Sequence, residues 1–132
     1  MDPRLTQIAQ ACLDGAERNT MTFPQIAGTL IDAGFESYAV DFRRASATYY
    51  RPDGDSVVLP THTGAPVAAG WDPVAVQAAI REAQALVPGY TYAGFCAKVV
   101  AAGCAGYVVS FPGRRAVYLA RTAETYVEPF PP

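Results

Sequence analysis

Residues 33–49 read AGFESYAVDFRRASATY, and residues 102–118 read AGCAGYVVSFPGRRAVY. Laid over one another at an offset of 69 positions, the two stretches share Ala-Gly, then Tyr-x-Val-x-Phe, then Ala-x-Tyr. The alignment extends without a gap from Thr22–Pro60 onto Thr91–Pro129, with ten of the 39 pairs identical. The chain therefore reads as an internal duplication, and the seam between two such copies is a natural place for a ligand.

Within each copy the apolar period changes at the Ala-Gly pair. Before it, Phe23, Ile26, Leu30 and Ala33 recur at helical spacing, as do Tyr92, Phe95 and Val99. Thr22 with Gln25 three residues on has the spacing of a capping box, and Gly34 supplies a left-handed stop. After it, Tyr38, Val40 and Phe42 point one way and Ala39 and Asp41 the other, which is a strand. Further strands are expected at 45–51, 57–59, 106–111, 115–120 and 125–128, with Pro52-Asp53-Gly54 and Pro112-Gly113 as turns. Asp2-Pro3 and Asp72-Pro73 each open an additional helix, and the stripe of the second of these runs from Val76 to Val87.

Each unit is thus two helices followed by a three-stranded antiparallel meander. The expected fold is α+β, a two-layer sandwich of about six strands under four helices. A single domain covers 1–132, with one unit at 1–60, a loop at 61–70 and the second unit at 71–132. Each unit is too short for a secure core of its own, so the two are expected to share one.

Composition narrows the functional classes. A net charge of −2 leaves no electrostatic footprint for nucleic acid. No run approaches the length of a membrane span, and Met1-Asp2-Pro3-Arg4 is no signal peptide, so a cytoplasmic protein is expected. Cys12, Cys96 and Cys104 match neither a CxxC nor a zinc-ligand spacing and read as buried thiols. With His62 the only histidine, neither a metal centre nor a cofactor is expected, and no nucleophile–base pair is evident.

The helix, Ala-Gly, Tyr-x-Val-x-Phe pattern closes in Tyr126-Val127-Glu128-Pro129-Phe130-Pro131. In this it resembles the YdfO- and YbcV-like family of small bacterial and prophage proteins, some labelled "phage envelope protein". The likeness covers most of the chain, especially 23–50 and 90–131. It implies an α+β fold and a bacterial or prophage origin. It brings no activity and no functional residues with it.

The residues themselves point to a small soluble non-enzymatic module that binds a small molecule or a protein partner, as monomer or homodimer. One alternative is a small cofactor-free enzyme with a pocket of polar contacts near the inter-repeat loop; another is a prophage accessory or structural protein. The candidate ligand site is Tyr50, His62 and Trp71, with Asp41 or Arg44 at its rim. Tyr50 breaks the repeat, since its counterpart is Leu119, and the only histidine and tryptophan flank the loop between the units. Arg43-Arg44 and Arg114-Arg115 mark the first hairpin turn of each unit, where paired guanidiniums either blunt the sheet or meet an anion.

Overall fold

The computed structural model describes residues 1–62 and 65–131. Thr63 and Gly64, within the loop expected at 61–70, and Pro132 lie outside the described residues. The elements run α1 (Pro3–Glu17), α2 (Phe23–Asp32), β1 (Ser37–Asp41), β2 (Ser46–Tyr50), β3 (Ser56–Pro60), α3 (Pro73–Ala85), α4 (Tyr92–Ala101), β4 (Cys104–Ser110), β5 (Arg115–Ala120) and β6 (Thr125–Pro129). The fold is mixed α+β, with one six-stranded sheet in the order β3-β2-β1-β4-β5-β6 and every pairing antiparallel.

Local chemistry fixes the helix ends. Asp2 accepts from the Arg4 amide at 2.8 Å with Pro3 in the first turn. Thr22 and Gln25 close the capping box reciprocally, the Thr22 amide donating to Gln25 Oε1 at 2.8 Å. Thr91 caps α4 through the Gly94 amide at 3.0 Å. Gly34 (φ 89°) and Gly103 (φ 93°) follow α2 and α4 in the left-handed region that costs glycine little. The α3 helix stops at Ala85, short of Val87, because Leu86 turns left-handed at φ 47°.

Alternation along the strands sorts the sheet into two unlike faces. Tyr38, Val40, Ala47, Tyr49, Leu59, Tyr107, Val109, Ala116 and Tyr118 are buried and share one apolar cluster with Leu5, Leu13, Leu30, Val76, Ile80, Phe95 and Val99 of the helices. Four tyrosines cross the middle of this face in the order Tyr49, Tyr38, Tyr107, Tyr118. Their neighbouring ring centroids are 5.4, 6.3 and 5.3 Å apart, which is aromatic packing distance.

One residue of the expected core departs from it. Phe23, at the first position of α2, is 43% exposed and packs edge-on against Phe130 with centroids 5.7 Å apart. At the first position of the helix it stands outside the central apolar cluster. Among the described residues, no helix is long and apolar enough to cross a membrane.

Candidate functional site

The outward positions of the sheet form three rows that cross all six strands. The central row, taken from edge to edge, is Val58, Thr48, Ala39, Val108, Val117 and Val127, each paired with the next across the ladder. One flanking row holds Pro60, Ser46, Asp41, Gly106, Leu119 and Thr125; the other holds Ser56, Tyr50, Ser37, Ser110, Arg115 and Pro129. Asp41 and Arg115 are therefore the only charged residues in these rows. Val58 is 61% exposed and Val108 46%, with Leu119, Val127 and Tyr50 exposed as well. An antiparallel sheet with one wet face normally alternates apolar-in with polar-out, and this face keeps four valines and an alanine, interrupted only by Thr48, on the wet side.

A shallow depression of about 300 Å³ lies in this face, bounded by Asp41, Arg44, Thr48, Tyr50, Val58, Val108 and Leu119. Its floor lies where Ala39 and Gly106 leave little side chain. A Cβ on Gly106 would collide with the Val40 carbonyl, because β4 carries an irregularity between Cys104 and Gly106 at that point. Three residues of the expected site, Asp41, Arg44 and Tyr50, thus line one surface. Asp41 has a second duty: its Oδ1 accepts from the Arg43 and Arg44 amides at 2.9 and 3.1 Å, holding the β1–β2 turn. Ser110 does the same for the β4–β5 turn, accepting from the Gly113 amide at 2.9 Å.

His62 and Trp71 do not join them. His62 lines a separate hollow of about 210 Å³ with Glu17, Ala65, Tyr92, Cys96 and Val100. There the His62 amide donates to Glu17 Oε2 at 2.8 Å, and its Nδ1 lies 2.9 Å from Oε1. Both oxygens of one carboxylate hold one residue, although the imidazole itself is 84% exposed. Trp71 bounds neither depression. It packs at the margin of the core, where its backbone runs past Gly103. The five residues expected to converge are split between the outer sheet face, the helix side and the core margin.

Other reactive groups are closed off. Burial pushes the Cys96 thiol up to about 12 and the Cys104 thiol up to about 11, and it raises Cys12 as well. Such thiols stay protonated and are poor nucleophiles. Tyr92 and Tyr107 bring their hydroxyls to 2.6 Å, and burial holds both well above the ordinary tyrosine range. Among the described residues no group of three or more His, Cys, Asp or Glu side chains could hold a metal.

Val58, Val108, Leu119 and Val127 were absent from the expected site, and the sequence did carry a sign of them. They occupy the strand positions alternate to the inward residues, where a solvated sheet would carry polar side chains. No protein-family model matches the chain, and no curated protein matches it at a significant level.

Proposed function

We propose that this protein is a non-enzymatic binding module, an internally duplicated two-layer sandwich whose working surface is the open face of its sheet. The observation that carries the binding role is the central row, in which Val58, Thr48, Ala39, Val108, Val117 and Val127 cross all six strands without a charge. Val58, Val108 and Val127 of that row are exposed, with Leu119 beside them, and exposed apolar patches mark interaction sites. Tyr50 and the Arg43-Arg44 turn give that surface a polar margin. The closed thiols and the turn-holding role of Asp41 favour binding over catalysis.

The duplication is supported by the register at the centre of the sheet. Ala39 is opposite Val108, and these are counterparts at the 69-residue offset. Tyr38 opposite Val109 and Val40 opposite Tyr107 are the same pair exchanged, as a local twofold between β1 and β4 requires. An accessory role of the interaction type that the YdfO- and YbcV-like resemblance implies would use the same face.

Native mass spectrometry of freshly purified protein tests the reading. Any other molecule retained by the wild-type chain is expected to be lost in Val108→Lys and kept in Glu17→Gln. Retention unaffected by Val108→Lys, or lost only in Glu17→Gln, would move the site to the helix side.

A further inference from the structure

The two edges of the sheet differ, and we infer that the β6 edge pairs with β6 of a second copy of this chain, antiparallel about a twofold axis normal to the sheet. Such pairing goes beyond the reading of the open face, which it leaves uncovered. On an edge strand, alternate residues turn their N–H and C=O groups away from the sheet. At β3 the Arg51 amide donates to the Asp55 carbonyl and the Thr61 amide to that of Ala45, which leaves Ser56, Val58 and Pro60 facing outward. The Ser56 amide is taken by the Asp55 carboxylate at 2.9 Å and Pro60 has no N–H, so of these three only Val58 offers a donor. At β6 the Ala120 amide donates to the Glu124 carbonyl at 2.8 Å and the Phe130 amide to that of Arg114 at 2.9 Å. That phase turns Thr125, Val127 and Pro129 outward, with two donors and three acceptors open.

The β6 edge complements itself in one register. With Val127 opposite Val127 of the partner subunit, the whole strand is paired. Each Val127 amide then donates to the Val127 carbonyl across from it, and each Thr125 amide to the carbonyl of the partner's Pro129. Pro129 is asked only to accept. On the helix side of the sheet Tyr126 comes opposite the partner's Glu128, and Glu124 opposite the partner's Phe130. Arg114 holds its guanidinium 5.9 Å from the Phe130 ring centroid, so each Glu124 carboxylate meets a guanidinium across the edge. Setting Tyr126 opposite Tyr126 of the partner subunit would instead place Glu128 opposite the partner's Glu124. The slip in the other direction places Glu128 opposite Glu128 of the partner subunit. Like charges directly opposite are destabilising, and both slips are rejected on that ground.

The helix layer leaves room for the second copy. Ala116 and Tyr118 on β5 are buried, whereas Tyr126 and Glu128, the inward residues of β6, are only half-buried. The α3 helix thus stands inward of the edge strand, with Gln84 reaching out to Glu128 at 3.1 Å. Pairing β6 with β3 of another copy would be head to tail and open-ended, and the outward residues of β3 bring it a single donor. An interface built on one pair of five-residue strands is small, so the dimer is weak and fills at high concentration.

Sedimentation velocity and amide hydrogen exchange on the full chain, from micromolar to millimolar concentration, test the inference. The mass is expected to rise from 14.0 kDa toward twice that value. Exchange at the Thr125 and Val127 amides should slow over the same range, while exchange at the Val58 amide should not. Glu124→Arg and Arg114→Glu should each weaken the dimer about fivefold, and the double variant should recover it. Within one chain these residues flank opposite ends of β6, about 20 Å apart at about 3.3 Å per residue, so recovery arises only between copies. Val127→Pro removes an N–H that the ladder to β5 does not use and should abolish pairing. The charge exchange carries the test should that variant fail to fold. Val108→Lys, on the open face, should leave the dimer unchanged, so the two readings fail independently. A chain monomeric at millimolar concentration, a dimer whose Val127 amide stays unprotected, or a double variant no better than the single ones overturns the inference.

Discussion

The guanidinium of Arg51 donates from Nη1 to the carbonyl of Ala33 at 2.7 Å, closing the C-terminal end of α2 from the end of β2. The same guanidinium lies 5.8 Å from the centroid of Phe35. At the end of α4 the carbonyl of Ala102 is satisfied differently, by the amide of Asp72 at 2.8 Å. Two helix ends with the same Ala-Gly sequence are thus closed by a mobile side chain in one case and by backbone in the other. The segment leading into α3 is thereby fastened to the end of α4, with Arg121 Nη1 also donating to the Val67 carbonyl at 3.1 Å.

The two glycines should consequently respond unequally to alanine. A Cβ on Gly34 would meet the Arg51 guanidinium at 3.1 Å, which can swing aside. Gly34→Ala is expected to cost about 2–3 kcal/mol, the left-handed penalty together with a weakened Arg51–Ala33 hydrogen bond as the guanidinium moves. A Cβ on Gly103 would collide with the backbone carbonyl of Gly70 and reach Trp71 Cα at 3.1 Å. Gly103→Ala should therefore cost more than Gly34→Ala by at least about 1 kcal/mol, since backbone must move. Urea midpoints of the two variants decide this, and equal losses would refute the backbone contact.

A second contrast concerns the aromatic residues of α2 and α4. Phe95 is buried against Tyr92 and Tyr118, with ring centroids 6.2 and 6.3 Å away. Phe95→Ala is expected to cost roughly 3–5 kcal/mol, and Phe42→Ala a similar amount. Phe23, exposed on one side, should lose about 1–2 kcal/mol on the same change, because less of its surface leaves water. Denaturant unfolding of the three variants measures the ranking. A Phe23→Ala loss as large as that of Phe95→Ala would place Phe23 in the core.

Why the fold was more legible than the site can be argued from individual residues. Thr22, Gln25 and Gly34 act within a few positions of themselves, so their spacing was enough to mark the ends of α2. Tyr38, Val40 and Phe42 announce an inward face by period alone, and all three are buried. Tyr50, Asp41 and Arg44 share one surface because the β1–β2 hairpin brings them to the same face of the sheet. His62 and Trp71 were assigned there by rarity and by proximity along the chain. What separates them is tertiary: Glu17 takes His62 to the end of α1, and the Asp72–Ala102 hydrogen bond takes Trp71 to the end of α4. The row from Val58 to Val127 depends on β1 pairing with β4, a register that neither strand reveals alone.

The buried thiols and phenols predict how stability depends on pH. Cys96 and Cys104 have an ordinary value of 9.0, and burial pushes them up to about 12 and about 11. Burial raises Tyr38, Tyr92 and Tyr107 well above 10.0, and Tyr49 and Tyr118 upward as well. Each group is neutral when protonated, so the unfolded chain releases its proton first as pH rises. Between the unfolded and folded values the native state binds more protons, and stability must fall with increasing pH. The stability is complete below about pH 9 and is lost as pH climbs toward about 11–12. Each fully engaged group contributes a slope of about 1.4 kcal/mol per pH unit, so the two thiols together approach about 3. Urea unfolding followed by tyrosinate absorbance at pH values on either side of 9 should show midpoints that fall together with the appearance of tyrosinate. Cys96→Ala should flatten the dependence just above pH 9 whatever it does to stability at neutral pH. A midpoint unchanged across that range, or all the tyrosines ionising in the native protein before it unfolds, would contradict the burial of these groups.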